Sequence, residues 1–266
     1  MVIAPMDSVD LAPVTSLQQD GWSDIRVAFS RYVEEPFSYP IKVDMDNQLA
    51  GVGATIIHGD VAWLGHIIVS PEYRGKGLGK LITETLVNIA KEYNCQTIYL
   101  LATALGAPVY EKVGFVTETE YMIFTDINFP QETLETSHIQ PYKEDFRQGI
   151  SKLDQETSAE NRLFYLEKFL KDALVYLEEN EIEGYYIPTL ENGPIIAKTE
   201  RAGLALTKLH LRNHHQLIFP KENRCLLHFL STYGYVANSS CKRMRFGELK
   251  PTKMAFIYNR IAGYLG

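Results

Sequence analysis

Residues 74–80, Arg74-Gly75-Lys76-Gly77-Leu78-Gly79-Lys80, place three cations and three glycines in seven positions. Backbone N–H groups converge on one point only where no Cβ stands between them. A helix starting directly behind such a loop adds its positive dipole end. Together these make a cradle for phosphate. The neighbouring sequence supplies both flanking elements. Ile67-Ile68-Val69 is an apolar strand end closed by Ser70-Pro71. Leu78, Leu81, Ile82, Leu86, Ile89, Ala90 and Tyr93 then recur at helical spacing. The adjacent pair His214-His215 is a poor metal site, because neighbours on a strand face opposite sides. The Glu178-Glu179-Asn180-Glu181 run reads as a solvated helix end.

The elements that must position the loop can be read on both sides of it. Residues 2–6 make a short first strand, 15–33 a helix broken by Pro36 and Pro40, and 39–45, 49–58 and 61–69 an antiparallel meander. Residues 97–103 are almost wholly apolar and read as a buried strand. Pro108 opens a short helix over 107–113, Gly114 caps it, and 115–127 form the next strand. The polar stretch 130–141 marks a domain boundary, giving domains over 1–130 and 137–266.

Beyond the boundary, Thr157-Ser158-Ala159-Glu160 has capping-box spacing. It predicts a helix carrying Leu163, Leu166, Leu170, Ala173, Leu174 and Leu177. Strands follow over 185–189 and 194–199, a helix over 202–211, a strand over 216–219, and a helix over 223–233 capped by Gly234; Tyr235 opens a last strand toward Met244. The two halves share this order of elements, as Val109-Tyr110-Glu111-Lys112-Val113-Gly114-Phe115 and Phe229-Leu230-Ser231-Thr232-Tyr233-Gly234-Tyr235 illustrate. We read a divergent duplication. The second copy has Lys198-Thr199-Glu200-Arg201-Ala202-Gly203-Leu204 in place of the loop, and one glycine does not supply a row of converging amides.

Composition narrows the function. A chain of 266 residues with 45% hydrophobic content has material for two cores. A net charge of -7 argues against nucleic acid as a partner. Cys95, Cys225 and Cys241 are few and unpatterned, which fits a reducing compartment and no metal. No apolar run is long enough to span a membrane, and the first residues lack the basic start of a secretion signal, so a cytoplasmic protein is expected.

Arg74-Gly75-Lys76-Gly77-Leu78-Gly79, with Val69 and Pro71 before it and Val109-Tyr110-Glu111-Lys112-Val113-Gly114-Phe115 after it, resembles the R/Q-x-x-G-x-G/A signature of the GNAT family of acetyl-CoA-dependent N-acetyltransferases. Gly193-Pro194-Ile195-Ile196-Ala197, Phe219-Pro220 with Asn223, Gly234-Tyr235 and Arg243-Met244-Arg245-Phe246-Gly247 resemble the C-terminal GNAT-like domain of YitH/HolE-type acetyltransferases. The resemblance implies an α+β fold: tandem domains, each a mixed, mostly antiparallel sheet flanked by helices, the second degenerate and without a phosphate loop. It implies acetyl-CoA as co-substrate. Amides of Arg74, Gly75, Lys76, Gly77, Leu78, Gly79 and Lys80 would hold its pyrophosphate, with the side chains of Arg74, Lys76 and Lys80 adding charge. Ile67, Ile68 and Val69 would pair with pantetheine, and an N–H near Ile67 or Ile68 would polarise the thioester. Tyr110 would protonate the leaving thiolate, and Thr103 falls where many members carry an asparagine that contacts pantetheine.

The residue that takes the proton of the amine stays open at this point. Trp63, Gly65 and Ile67 share one strand parity and none is a base, while His66 falls at the opposite parity and reads as a core or surface histidine without a catalytic task. A relayed water or Asp24, Glu34 or Glu35 would serve equally. Trp22 fits an acceptor site or a core. The leading function is acetyl transfer to the primary amine of a small molecule. Its alternatives are a non-catalytic acyl-CoA sensor and a protein N-acetyltransferase. The second domain would shape the acceptor site or a homodimer.

Overall fold

The computed structural model describes residues 1–19, 21–22, 24–130 and 135–265. Asp20 and Ser23, beside Trp22, and part of the 130–141 boundary therefore lie outside the described residues. The chain forms two compact units. The first holds Met1–Glu118 with Arg243–Leu249 and Leu265, and the second holds Thr119–Lys242 with Lys250–Tyr264. The boundary read from composition is at 130–141, whereas the first unit ends at Glu118 and takes back the segment Arg243–Leu249.

The strands and helices up to the boundary are β1 (Val2–Pro5), α1 (Leu11–Val14), α2 (Ile25–Glu34), β2 (Ser38–Met45), β3 (Gln48–His58), β4 (Val61–Val69), α3 (Leu78–Glu92), β5 (Thr97–Ala102), α4 (Ala107–Val113) and β6 (Val116–Phe124). Those beyond it are β7 (Ile139–Pro141), α5 (Arg147–Ser158), α6 (Leu163–Leu166), β8 (Leu174–Glu178), β9 (Glu181–Tyr186), β10 (Ile195–Ala197), α7 (Glu200–His210), β11 (Leu217–Pro220), α8 (Arg224–Thr232), β12 (Ser239–Gly247) and β13 (Ile257–Asn259).

In the first unit β1 to β4 form the expected antiparallel meander, and β5 joins β4 in parallel. The strand order is β1-β2-β3-β4-β5-β12-β6. The Arg243–Leu249 segment thus lies between β5 and β6, with Met244 fully buried in the core and Phe246 against Phe115. Glu118 anchors it by accepting from Arg245 Nε at 2.7 Å and pairing with Arg243 at 3.5 Å. The Arg243 guanidinium lies 4.0 Å from the Tyr99 ring centre, on the face that also buries Trp63. On the other face α3 presents Leu78, Ile82 and Leu86. It packs close because β3 carries Gly51 and Gly53 beneath it: a Cβ on either would stand 2.8 Å from Ile82 or Leu86.

The second unit holds an antiparallel sheet in the order β13-β10-β9-β8-β7 and the pairing of β11 with Tyr121–Phe124 of β6. Each unit is α+β. The long helix expected after Thr157 is absent. Residues 157–158 end α5, Ala159 is its left-handed cap (φ 58°), and Leu174–Glu178 is strand β8. The leucines spaced for a helix are distributed over a short helix, a 3-10 turn and a strand, with Leu166 and Leu170 buried and Leu174 and Leu177 half-buried. Asp154 is why α5 lies earlier: buried, it accepts from Arg162 Nε and Nη2 (3.1 and 2.7 Å) and from Tyr185 Oη (2.6 Å). Losing Arg162 would leave the Asp154 charge buried without its counter-charge.

Candidate active site

The site begins with an irregularity in β4. The β3–β4 register shifts between Val52 and Ala54, so that Val52 faces Ile68 while Ala54 faces Gly65. His66 sits there in the left-handed region, φ 49°. Such a bulge resets strand alternation. Ala62 and Leu64 belong to the core under α3, and so does Ile67, three residues on. The parity that removed His66 from consideration assumed an unbroken strand and does not hold. Parallel pairing with β5 runs from Val61–Thr97 to Leu64–Leu100 and stops just before the bulge.

Past the bulge, β4 is bonded on one side. Ser70 N–H donates to Ala50 O at 2.9 Å, and Ile68 stands opposite Val52. Antiparallel ladders alternate, so Ile68 is engaged with β3 while Ile67 and Val69 turn their backbone groups the other way. Of the three strand residues expected to meet pantetheine, Ile67 and Val69 therefore offer an edge and Ile68 does not.

The glycine loop follows a 3-10 turn at Pro71–Tyr73. Gly75 and Gly77 have φ of 75° and 84°, and a Cβ on either would meet open space, so conformation rather than crowding demands glycine. Arg74 N–H donates to Pro71 O and Leu81 N–H to Gly77 O. Among the described residues, the N–H groups of Gly75 through Lys80 have no backbone acceptor between them. That is the row of donors a phosphate needs. The side chains are placed otherwise. Arg74 Nε donates to Val69 O at 3.2 Å and Nη2 to Gln19 Oε1 at 3.0 Å, Lys80 pairs with Glu84 at 3.5 Å, and Lys76 lies 4.9 Å over the Tyr73 ring. The cradle is chiefly backbone.

Tyr110 lies on α4, buried at 9% exposure, with its ring across Gly106: a Cβ there would stand 2.8 Å from Tyr110 Cε2. Burial pushes its hydroxyl up to about 12, so it is protonated at neutral pH. Thr103 caps this helix, its hydroxyl accepting from Gly106 N–H at 3.2 Å and its carbonyl from Ala107 N–H. In this structure the Thr103 side chain serves the helix.

His66 is the candidate that strand alternation set aside. Its Nδ1 is 2.7 Å from Tyr32 Oη, and the rings of Trp22, Phe29 and Tyr32 surround it edge-on at 5.8, 5.8 and 5.6 Å. Burial lowers it to about 4, leaving a neutral imidazole at pH 7. Two of the carboxylates that competed for the role of base have other work. Asp24 caps α2 through Arg26 N–H at 2.9 Å, and Glu34 accepts from Ser30 Oγ at 3.4 Å.

The corresponding place in the second unit is built differently. Thr199 Oγ1 caps α7 by accepting from Ala202 N–H, Glu200 puts a negative charge in the first turn, and β10 is paired on both sides by β9 and β13. His214 stacks on His210 at 4.3 Å, while His215 Nδ1 donates to Ile127 O at 2.8 Å. No group of three metal-ligating side chains occurs among the described residues.

A bulged strand that parts from its parallel neighbour, a glycine loop and a helix N-terminus define an acetyltransferase-type fold, and comparison agrees. Residues 10–115 match the Acetyltransferase (GNAT) family and residues 150–259 an Acetyltransferase (GNAT) domain. The chain belongs to the GNAT family, with one such domain in each half. A Bacillus subtilis (strain 168) protein assigned as a ribosomal protein bS18-alanine N-acetyltransferase is 28% identical over 89 residues, 32% of this chain and 59% of that relative's length. A structure of a protein from Pyrococcus horikoshii assigned as an acetyltransferase superposes with a TM-score of 0.85 at 20% identity, covering 100% of this chain and 95% of that one. A tandem GNAT protein from the clavulanic acid pathway gives 0.61 at 10% identity, covering 92% and 98%. At these identities the structures speak for the fold.

Proposed function

We propose that the first unit is an acetyl-CoA-dependent N-acetyltransferase acting on a primary amine of a small molecule, and that the second unit binds no phosphate, leaving one active site per chain. The observation that carries this reading is the run of unpaired N–H groups from Gly75 to Lys80 directly after a strand edge that is open at Ile67, with Val69 O already accepting from Arg74. The pyrophosphate fits the first and the pantetheine amides the second. The Ile67 N–H is the donor for the thioester oxygen as it gains charge.

The amine attacks the thioester carbon, forming the C–N bond. The nitrogen, positively charged and acidified by the new tetrahedral centre, gives its proton to neutral His66, so a low basicity is sufficient for that step. The C–S bond then breaks, and Tyr110 donates its proton to the departing thiolate. Tyr32, bonded to His66 Nδ1, orients the imidazole. Free CoA and an N-acetylamine leave, with the proton balance restored through solvent. His66 also weakens the case for a non-catalytic sensor, which rested on the lack of a base.

The test is thiol release from acetyl-CoA across a panel of amines and peptides. Tyr110→Phe should lower kcat by about a hundredfold while acetyl-CoA affinity is retained. Saturable acetyl-CoA binding without transfer to any amine or peptide would replace this reading with the sensor.

A further inference from the structure

The approach to His66 is lined by aromatic rings, and one of them is left open. Trp22 is 43% exposed, a large apolar surface to leave in water. Its position is nonetheless fixed by several contacts. Gly21 takes φ 75° to turn the chain, and Trp22 N–H donates to Gln19 O at 3.2 Å. The Gln18 side chain spans the turn, its Nε2 donating to Trp22 O at 3.0 Å and its Oε1 accepting from Ile25 N–H at 3.0 Å. Gln19 in turn accepts from Arg74, at the edge of the cofactor loop. The outcome is a held indole, edge-on to the imidazole of His66 at 5.8 Å, with Phe29 and Tyr32 on the same ring.

An acceptor recognised through several positive charges would need carboxylates around its amine. The described rings in contact with His66 are instead aromatic, and burial lowers its basicity. Resting on the acetyltransferase reading above, we infer that the acceptor is an arylalkylamine: a primary amine on a short chain whose aromatic body stacks on Trp22 while its nitrogen reaches His66. A face of this kind rewards a flat apolar group and gives nothing to a polyamine's remote charges.

Steady-state thiol release by the full chain should be compared for phenethylamine, tryptamine, spermidine and an alanine-terminated peptide at saturating acetyl-CoA. The arylalkylamines should exceed the other two in kcat/KM by about tenfold or more. Trp22→Ala should raise the arylalkylamine KM about tenfold with acetyl-CoA KM unchanged, and Trp22→Phe should restore most of the loss. Circular dichroism and melting of both variants establish that they are folded. Preference for spermidine or the peptide, or an arylalkylamine KM indifferent to Trp22→Ala, overturns this inference and leaves the acetyltransferase reading standing. Bound acetyl-CoA with no turnover of any acceptor overturns both.

Discussion

Replacing His66 by Gln should make the protein less sensitive to acid. The imidazole titrates near 6.5 in an unfolded chain and is held down to about 4 in the folded one by burial. Between those values the unfolded chain binds more protons, so the stability contributed by neutral His66 is complete above about pH 6.5 and is lost as pH falls toward 4. At about 1.4 kcal/mol per pH unit the full window is worth about 3 kcal/mol. At about pH 5, where only part has been crossed, the loss is about 2 kcal/mol. His210, also lowered to about 4 chiefly by burial, adds a dependence of the same sign that persists in the variant. Gln keeps an acceptor for Tyr32 and carries no proton-linked charge. Urea unfolding at about pH 7.5 and about pH 5 for both proteins measures the effect as a difference of differences. Wild type should lose about 2 kcal/mol more than His66→Gln. Equal losses would show that His66 is not enclosed as a neutral base, and the mechanism built on it would fall as well.

Three further outcomes follow from other parts of the first unit. Gly77→Ala forces a Cβ into φ 84°, a strain of about 1–2 kcal/mol, so calorimetry should show acetyl-CoA affinity reduced about tenfold; unchanged affinity would remove the cradle from the amides. Gly106→Ala pushes against the Tyr110 ring and should lower kcat about tenfold with cofactor affinity retained, since a small misplacement of a reacting group is costly. Met244→Ala opens a cavity in the core under α3 and should reduce unfolding stability by about 2–5 kcal/mol; a loss under about 1 kcal/mol would argue that the strand is a loose addition.

Much of the site was legible because its chemistry is local. A strand, a proline turn, glycines and an amphipathic helix are contiguous over 67–93, and Tyr110 lies on a short helix with Pro and Gly at its ends. His66 was hidden because nothing in its residue type marks a bulge. The register shift is fixed by β3 pairing and by Gly53, opposite the extra residue. Arg74 looked like a phosphate ligand by charge, and only the fold shows that Val69 O and Gln19 engage it. In the second half the leucine spacing favoured a helix, but the buried Asp154–Arg162–Tyr185 network and the left-handed Ala159 end α5 before those leucines begin. The place of β12 was illegible for another reason. Its motif Arg243-Met244-Arg245-Phe246-Gly247 was visible, but strand order depends on partners more than a hundred residues away.

The position of β12 has a consequence for how the protein is made. The first unit is interrupted after Glu118 and resumed at Arg243, so its sheet lacks an inner strand until residues 119–242 have been synthesised. At about 5–20 residues per second, the intervening stretch delays that strand by roughly 6–25 s. During this interval β5 presents an unpaired edge and the core under α3 lacks Met244. A nascent chain released early would lack a strand of its first unit. Completion of the first unit therefore follows translation of the second unit's main segment.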